Sequence, residues 1–387
     1  MFCHTPPDAQ TDAIRRSVRE FATREIAPVA AALDDSESFS VELTRAMGAL
    51  GLLGCNAPGK YGGASLTQTE YVCAVEELAR VDASQAATVA AHTSLGVWPV
   101  VTFGTESQKN RFLPPLCSGE GLWGFGLTEP DAGSDAQATR TTAVFDPSRR
   151  SWTINGRKQW VTNGSTPITH GLTVQAVTGT DDRGRRELSC FLVPADAAGL
   201  TRTPIKRKLM WRASDTAEVV LDNVEVGEDL MLGNRGEGFR IMMSTLDGGR
   251  LSIAAMGLGL ARGVLELATS YAKTRRTFGK AIIEHQAIAF MLAEMATRIE
   301  ASDALLYRAC ALYDAEQDFR TFAAMAKLNC SQTAEFCARN GQQVFGGNGL
   351  MKDFPVERHY RDAALLRIGE GTDEILKLVI ARTLARD

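Results

Sequence analysis

The sequence predicts an α+β chain in three parts: a helical N-terminal domain (1–120), a middle β domain (121–233) and a C-terminal bundle of four long helices (234–387). Three observations predict it. Apolar residues recur at three- and four-residue spacing through the first third, and short β-type runs with turn chemistry between them begin near Gly121. Long helical periodicity then returns after Leu232-Gly233.

Within residues 12–33, Ile14, Val18, Phe21, Ala22, Ile26 and Val29 fall on one helix face, with Pro28 near the end. Residues 41–53, 66–81 and 83–95 read the same way, separated by Gly- and Pro-bearing breaks such as 57–63. A helix over 106–112 ends this section at Leu113-Pro114-Pro115. Strands follow at 122–127, 143–145, 152–154, 172–177, 188–193 and 217–221. Asn155-Gly156 is a hairpin turn candidate, and 181–186 is a polar loop between strands. Strands that follow one another without intervening helices favour an antiparallel barrel or sandwich over a parallel nucleotide-binding sheet. The last helices, 238–271, 284–315, 319–344 and 373–386, suggest an antiparallel bundle. Gly257, Gly259 and Gly263 lie in an apolar helical run and suit close helix packing.

Composition narrows the function. With 387 residues, 44% hydrophobic and 23% charged, the chain can bury large cores. A net charge of -4 without Lys/Arg blocks argues against nucleic acid as the main partner. The polar residues 1–12 and the absence of a stretch long enough to span a bilayer lead us to expect no membrane association and a cytoplasmic protein. Eight scattered cysteines with no Cys-x-x-Cys, and five histidines, predict reduced and mostly buried thiols and no metal site.

No Gly-x-Gly-x-x-Gly follows a strand and no P-loop is present, so any nucleotide is bound in another way. Residues 125–135, FGLTEPDAGSD, leave a strand into a loop of hydroxyls and small residues, able to donate to phosphate or ring carbonyls or to be a bare turn. Residues 158–164, KQWVTNG, set Trp160 two positions from Thr162, suited to a stacked ring or to a core. The interhelical TRRTFGK (274–280) and the helix stop QVFGGNG (343–349) could each meet phosphate, and each is also routine as a loop or a glycine stop. Near the end, Glu370 stands between Gly369 and Gly371, before Thr372, which can cap the helix that follows. By themselves these residues are a cap and a turn.

Taken together, the set resembles the acyl-CoA dehydrogenase family of flavoproteins. The likeness runs from about residue 14 to 386, on LTEP with AGSD (127–135), KLMWRASDT (208–216), DGGR (247–250), RTFGK (276–280), His285-Gln286, GGNG (346–349) and EGT (370–372). It implies a middle antiparallel β-barrel domain, a C-terminal four-helix bundle, FAD as cofactor between the two, and a homotetramer. It implies that Phe125, Leu127, Thr128, Ser134, Trp160 and Thr162 line the isoalloxazine and the nearer part of FAD, with Thr372 and Glu374 touching it from the chain end. Arg275, Thr277, Phe278, Gln286, Gln343, Gly346 and Gly347 would serve the FAD of a partner subunit. Ser134, Asp247 and Arg250 match positions beside the thioester's carrier portion, with Gly369 and Gly371 flanking the acyl group. Glu370 would take the α-proton while the β-hydride goes to flavin N5, giving a trans-2-enoyl thioester and electrons for an electron-transfer flavoprotein.

Two departures bear on substrate. Position 369 is Gly where many relatives carry Tyr, which makes room for a branched or cyclic acyl group, and Asp131 replaces a common Gly. No Glu or Asp occurs from 248 to 264, where some relatives hold their base, which favours Glu370. Three alternatives stay open: a carrier-protein thioester in place of CoA, a flavin monooxygenase or oxidase on the same scaffold, and a non-catalytic FAD scaffold.

Overall fold

Capping chemistry sets where the helices start. Asp8, Ser40, Thr67, Asp82, Thr105 and Thr372 each accept, through the side chain, the backbone N–H three residues on. The computed structural model describes residues 8–180 and 182–385. Seven helices come first: α1 (Ala9–Phe21), α2 (Ala27–Ser36), α3 (Val41–Ala49), α4 (Gln68–Ala79), α5 (Ala83–Ala90), α6 (Trp98–Phe103) and α7 (Glu106–Ser118). Pro28 and Pro99 each stand in the first turn of a helix that follows a π-helical segment, Ala22–Ile26 and Ala91–Val97 respectively, so neither proline breaks the run. Helix α7 passes through Pro114 and Pro115 instead of ending before them. The bonds those prolines cannot make would fall on the carbonyls of Asn110 and Arg111, both exposed, where water can take them.

The middle region holds β1 (Leu122–Gly126), β2 (Thr142–Asp146), β3 (Ser151–Thr162), β4 (Thr169–Thr180), β5 (Arg186–Pro194), β6 (Leu200–Pro204), β7 (Thr216–Gly227) and β8 (Met231–Leu232). The expected antiparallel β-barrel is not what forms. The hydrogen-bonded path runs β6-β7-β3-β2-β4-β5-β8 and does not close on itself, and β1 pairs parallel to β4. Strand β2 meets β4 through a single parallel pair, Thr142 with Val177. The result is an open mixed sheet. Its edges, a five-residue β6 and a two-residue β8, do not pair with each other, and closure needs them to. Asn155-Gly156, read as a hairpin turn, lies within β3 at a register shift. The sequence 182–185 does connect β4 to β5, residue 181 lying outside the described residues.

After the sheet come α8 (Gly238–Thr274), a two-stranded ribbon β9 (Arg276–Thr277) and β10 (Lys280–Ala281), α9 (Gln286–Asp314), α10 (Arg320–Phe345), α11 (Val356–Leu366) and α12 (Asp373–Leu384). Helix α11 is absent from the sequence reading; the predicted end of the last helix, Arg386, lies outside the described residues. One hydrophobic core joins α4 and α5 to α8, α9 and α10, through Tyr71, Val72 and Leu78 with Leu258, Leu260 and Cys330. A second core joins α6 and α7 to the sheet and the start of α8. Residues 83–103 and 238–274 are long and apolar enough to cross a membrane, contrary to the sequence expectation, but 67% and 83% of their apolar windows are buried inside the protein. They are core helices. The seven described cysteines are buried free thiols, and Cys3 lies outside the described residues.

Helix α8 is threaded between its neighbours at glycines. A Cβ at Gly259 would stand 2.1 Å from the carbonyl oxygen of Glu76 on α4, one at Gly263 2.1 Å from that of Arg80, and one at Gly257 2.9 Å from that of Cys330 on α10. Gly259→Leu is therefore expected to force α4 and α8 apart at a cost of about 3 kcal/mol. A lowered thermal unfolding midpoint or loss of soluble protein would report it.

Candidate active site

The loop between α11 and α12 is closed at its neck. Arg367 Nε donates to Asp373 Oδ2 at 2.8 Å, and the Asp373 N–H donates to the Arg367 carbonyl at 3.2 Å. Between them the chain carries two successive residues in the left-handed region, Glu370 (φ 53°) and Gly371 (φ 99°). For Gly371 that conformation is free; for Glu370 it costs about 1–2 kcal/mol. Such strain is held only where the surroundings fix it.

The strained backbone points Glu370 at α8. A Cβ at Gly249 would sit 2.3 Å from Glu370 Oε2 and 3.2 Å from Leu95, so glycine there is what gives the carboxylate its place. Glu370 is half-buried, but Oε2 has almost no solvent contact and no hydrogen-bond partner. Burial pushes its carboxyl from the ordinary 4.5 up to about 7, while the charges of Lys327 and Arg250 oppose the rise. Arg250 Nη1 donates to Asp247 Oδ1 at 2.5 Å, leaving Arg250 Nε buried without a partner. Burial also raises Asp247, against the pull of Arg250. Lys327 on α10, fully buried, donates to the Gly371 carbonyl at 2.7 Å. The arrangement is a carboxylate with a free lone pair, available to accept a proton near neutral pH.

A second group of side chains comes from the sheet. Strand β3 pairs Lys158 with Val219 and Val161 with Ala217, so Gln159 and Trp160 face one residue across the ladder. That is a bulge. It puts Trp160 in the left-handed region (φ 61°) with 57% of its surface exposed, instead of in the core, and frees the Gln159 N–H to bond the Thr128 carbonyl at 2.8 Å. Phe125 lies in β1 with Leu127 and Thr128 just beyond it, and β1 packs on β3, Cβ positions at Gly124 and Gly126 standing 2.9 Å from Val161 and 3.3 Å from Lys158. A buried ion pair holds the turn in place: Lys158 Nζ donates to Glu129 Oε1 at 2.6 Å and to the Leu127 carbonyl at 3.3 Å, and Glu129 accepts the Arg140 and Thr141 N–H groups. Against burial, Lys158 and those donors keep Glu129 below the usual carboxylate range. Beyond it Ser134 is exposed, and Gly133 has nothing within 4 Å of where a Cβ would be. The π segment before α6 joins the two groups: Leu95 faces Gly249, Gly96 packs on Trp123 of β1, and His92 accepts the Trp123 N–H at 3.1 Å.

The remaining predicted residues are elsewhere. Arg275, Phe278, Gln286, Gln343, Gly346 and Gly347 are exposed, Phe278 at 96%, and the two glycines face open space. Thr277 is half-buried, its hydroxyl 3.1 Å from His285 Nε2. A stack of Tyr271 on Phe345 at 4.2 Å brings the ends of α8 and α10 together. This group lies roughly 39 Å along α8 from Gly249, at about 1.5 Å per residue. Thr372 caps α12, and Glu374 is exposed in its first turn. Sequence reasoning missed Lys327, Leu95 and the role of Gly249. Lys327 had a signal: it interrupts the buried stripe Ala323, Ala324, Cys330, Ala334 on α10, where a lysine has no routine reason to be.

Comparisons with known proteins agree across the chain. The family descriptions "Acyl-CoA dehydrogenase, N-terminal domain", "middle domain" and "C-terminal domain" match residues 8–120, 124–224 and 236–385. A probable acyl-CoA dehydrogenase, YngJ, of Bacillus subtilis is 43% identical, with 96% of this chain and 97% of that protein covered. The butyryl-CoA dehydrogenase structure from Megasphaera elsdenii superposes with a TM-score of 0.94 at 36% identity, covering all of both chains. An acyl-CoA dehydrogenase from Bacillus anthracis solved with FAD gives 0.92 at 30% identity, covering all of this chain and 68% of that one.

Infrared titration of the protein, differenced against Glu370→Gln, is expected to show one carboxyl ionising near pH 7, well above the ordinary 4.5.

Proposed function

The chain belongs to the acyl-CoA dehydrogenase family, and we propose that Glu370 is its catalytic base, acting on a short acyl-CoA with room for a branch beside the reacting carbons. The reaction is FAD-dependent dehydrogenation of an acyl-CoA to the enoyl-CoA. The residues present fit that cofactor: an exposed Trp160 ring beside Thr128, a loop at Gly133 and Ser134 with open space above it, and an unpartnered carboxylate oxygen linked to that strand through the segment 91–97. Phe125, Leu127, Thr128, Ser134, Trp160 and Thr162 would hold it, with Thr372 and Glu374 from the chain end. FAD supplies the hydride acceptor.

The protein's own part is proton removal. A thioester α-hydrogen is a weak acid, so the base must be strong yet ionised at working pH. The single observation that carries the reading is Glu370 Oε2, buried against Gly249 with nothing bound to it, so that no competing hydrogen bond has to be broken. Burial strengthens the base, raising it to about 7, and the charges of Lys327 and Arg250 favour its ionised form. An acyl chain that excludes water from this corner would strengthen it further. Asp247 and Arg250, in the first half of α8, would face the carrier portion of the thioester.

The butyryl-CoA dehydrogenase likeness supports a short chain. Support for a branch comes from Gly369, which has no side chain and whose Cβ position would make only ordinary contact with Leu365, at 3.7 to 3.8 Å. The two electrons of each turnover must leave the protein, and we assign them to an electron-transfer flavoprotein. A homotetramer accounts for the exposed set at the far end of α8: Arg275, Thr277, Phe278, Gln286, Gln343, Gly346 and Gly347 would serve a partner's FAD, since roughly 39 Å of helix separates them from Glu370's neighbourhood.

Anaerobic bleaching of the flavin by straight and branched acyl-CoAs tests the reading. Glu370→Gln should lower the bleaching rate on the order of a thousandfold with FAD retained. In the wild type the rate should rise with pH through about 7, because only ionised Glu370 accepts the proton. Gly369→Tyr should penalise branched chains about tenfold more than butyryl-CoA. Bound flavin that no CoA ester bleaches would point to a carrier-protein thioester instead.

A further inference from the structure

We propose that Lys327 is a positioning residue for the base: from α10 it clamps the Gly371 carbonyl and so holds Glu370 in the orientation that presents Oε2 to the substrate. The proposal rests on the reading of Glu370 as proton acceptor.

A fully buried lysine usually has a carboxylate beside it, because an ammonium out of water needs compensation. Here the hydrogen bond of the Lys327 ammonium goes to a backbone carbonyl, at 2.7 Å, in the residue that follows Glu370. That carbonyl belongs to the second of two consecutive left-handed residues. Fixing its direction fixes the peptide plane that follows Gly371, which restrains the strained turn at Glu370 from its C-terminal side. The rest of the loop has its own restraints. Ser331, one turn further along α10, donates to the Leu366 carbonyl at 2.8 Å, and Gln332 donates to Asp373 at 3.2 Å, beside the Arg367–Asp373 pair. Those contacts secure the neck of the loop. The Lys327 bond reaches the segment that carries the base.

The lysine also acts by charge. The charged and titratable groups facing Glu370 are Arg250 on α8, Tyr71 on α4 and Lys327 on α10; Asp373 and Arg367 at the loop's neck act on Lys327, Asp373 favouring its charged form and Arg367 opposing it. Of these, Lys327 and Arg250 oppose the upward push of burial on Glu370. Burial brings the Lys327 ammonium itself down to about 8, so the two groups titrate close together and bias each other. Removing Lys327 leaves Arg250 alone to favour the carboxylate, and Glu370 then keeps its proton to higher pH.

The test uses the FAD-loaded enzyme with butyryl-CoA as probe. Wild type, Lys327→Met, Lys327→Gln and Glu370→Gln are compared by stopped-flow flavin bleaching across pH, by infrared titration of the Glu370 carboxyl, and by FAD content and thermal unfolding. Lys327→Met removes both donor and charge: the limiting bleaching rate should fall about tenfold or more, and the acid limb should move up by about one pH unit. FAD content and the Kd for butyryl-CoA should stay close to wild type. Lys327→Gln keeps a neutral donor and should shift the acid limb as far with a smaller loss of rate; it decides the matter if the Met variant does not fold. Wild-type acid limbs, wild-type infrared midpoints and rates within twofold in the folded variants would overturn the proposal, even with a lowered unfolding temperature. A Glu370→Gln enzyme that still bleaches removes the underlying reading instead. The infrared midpoint needs no substrate, so it reports on Lys327 in either case.

Discussion

One desolvated carboxylate organises this molecule. Glu370 Oε2 lies against the backbone of α8 at Gly249, without a hydrogen-bond partner and almost without water. An ionisable group in that state is costly, and a fold keeps it only by stiffening everything around it. The loop neck is closed by Arg367 and Asp373, the Gly371 carbonyl is tied to Lys327, and the helix on the other side is itself wedged between α4 and α10 at glycines with no space for a Cβ. The unusual proton affinity and the unusual backbone of Glu370 are two results of the same packing.

The rest of the architecture brings that carboxylate to the sheet. Helix α8 belongs to both cores, its first turns packing with the sheet and its middle with α4 and α10. The π segment 91–97 bridges the same gap at the level of the site, touching Gly249 through Leu95 and β1 through Gly96 and His92. On the sheet side a single extra residue in β3 turns Trp160 outward, and the buried Lys158–Glu129 pair fixes the neighbouring turn. Two local irregularities on either side are linked through the π segment, the left-handed glutamate by way of Gly249 and the sheet by way of Trp123.

Much of this was legible in the sequence, and the failures have physical causes. The start of α12 was readable because the Thr372 side chain acts on a backbone group three residues away. Close packing at Gly257, Gly259 and Gly263 was readable because small residues in an apolar helical run have few other uses. Helix α11 was missed, and α7 was cut short at Pro114-Pro115, where two missing donors are harmless only because the affected carbonyls face solvent. The barrel was wrong because alternation and turn residues report that strands exist, while closure depends on which edges meet. Asn155-Gly156 has the composition of a hairpin turn but serves inside a bulged strand, where the ladder to β7 overrides local preference.

By itself the sequence determined the order helical, β, helical, the cap at Thr372, the close packing of α8 at its glycines, and the identity of Glu370 as the residue to explain, since each depends on neighbours in the chain or on a run of motifs in fixed order. Tertiary structure alone decided that the sheet stays open, that Trp160 faces outward, that Lys327 reaches the Gly371 carbonyl, and that Glu370 Oε2 is shielded from solvent. Those outcomes depend on groups far apart in sequence, Glu370 with Gly249 and Lys158 with Glu129, and a carboxylate's proton affinity is set by what surrounds it in space rather than by what precedes it in the chain.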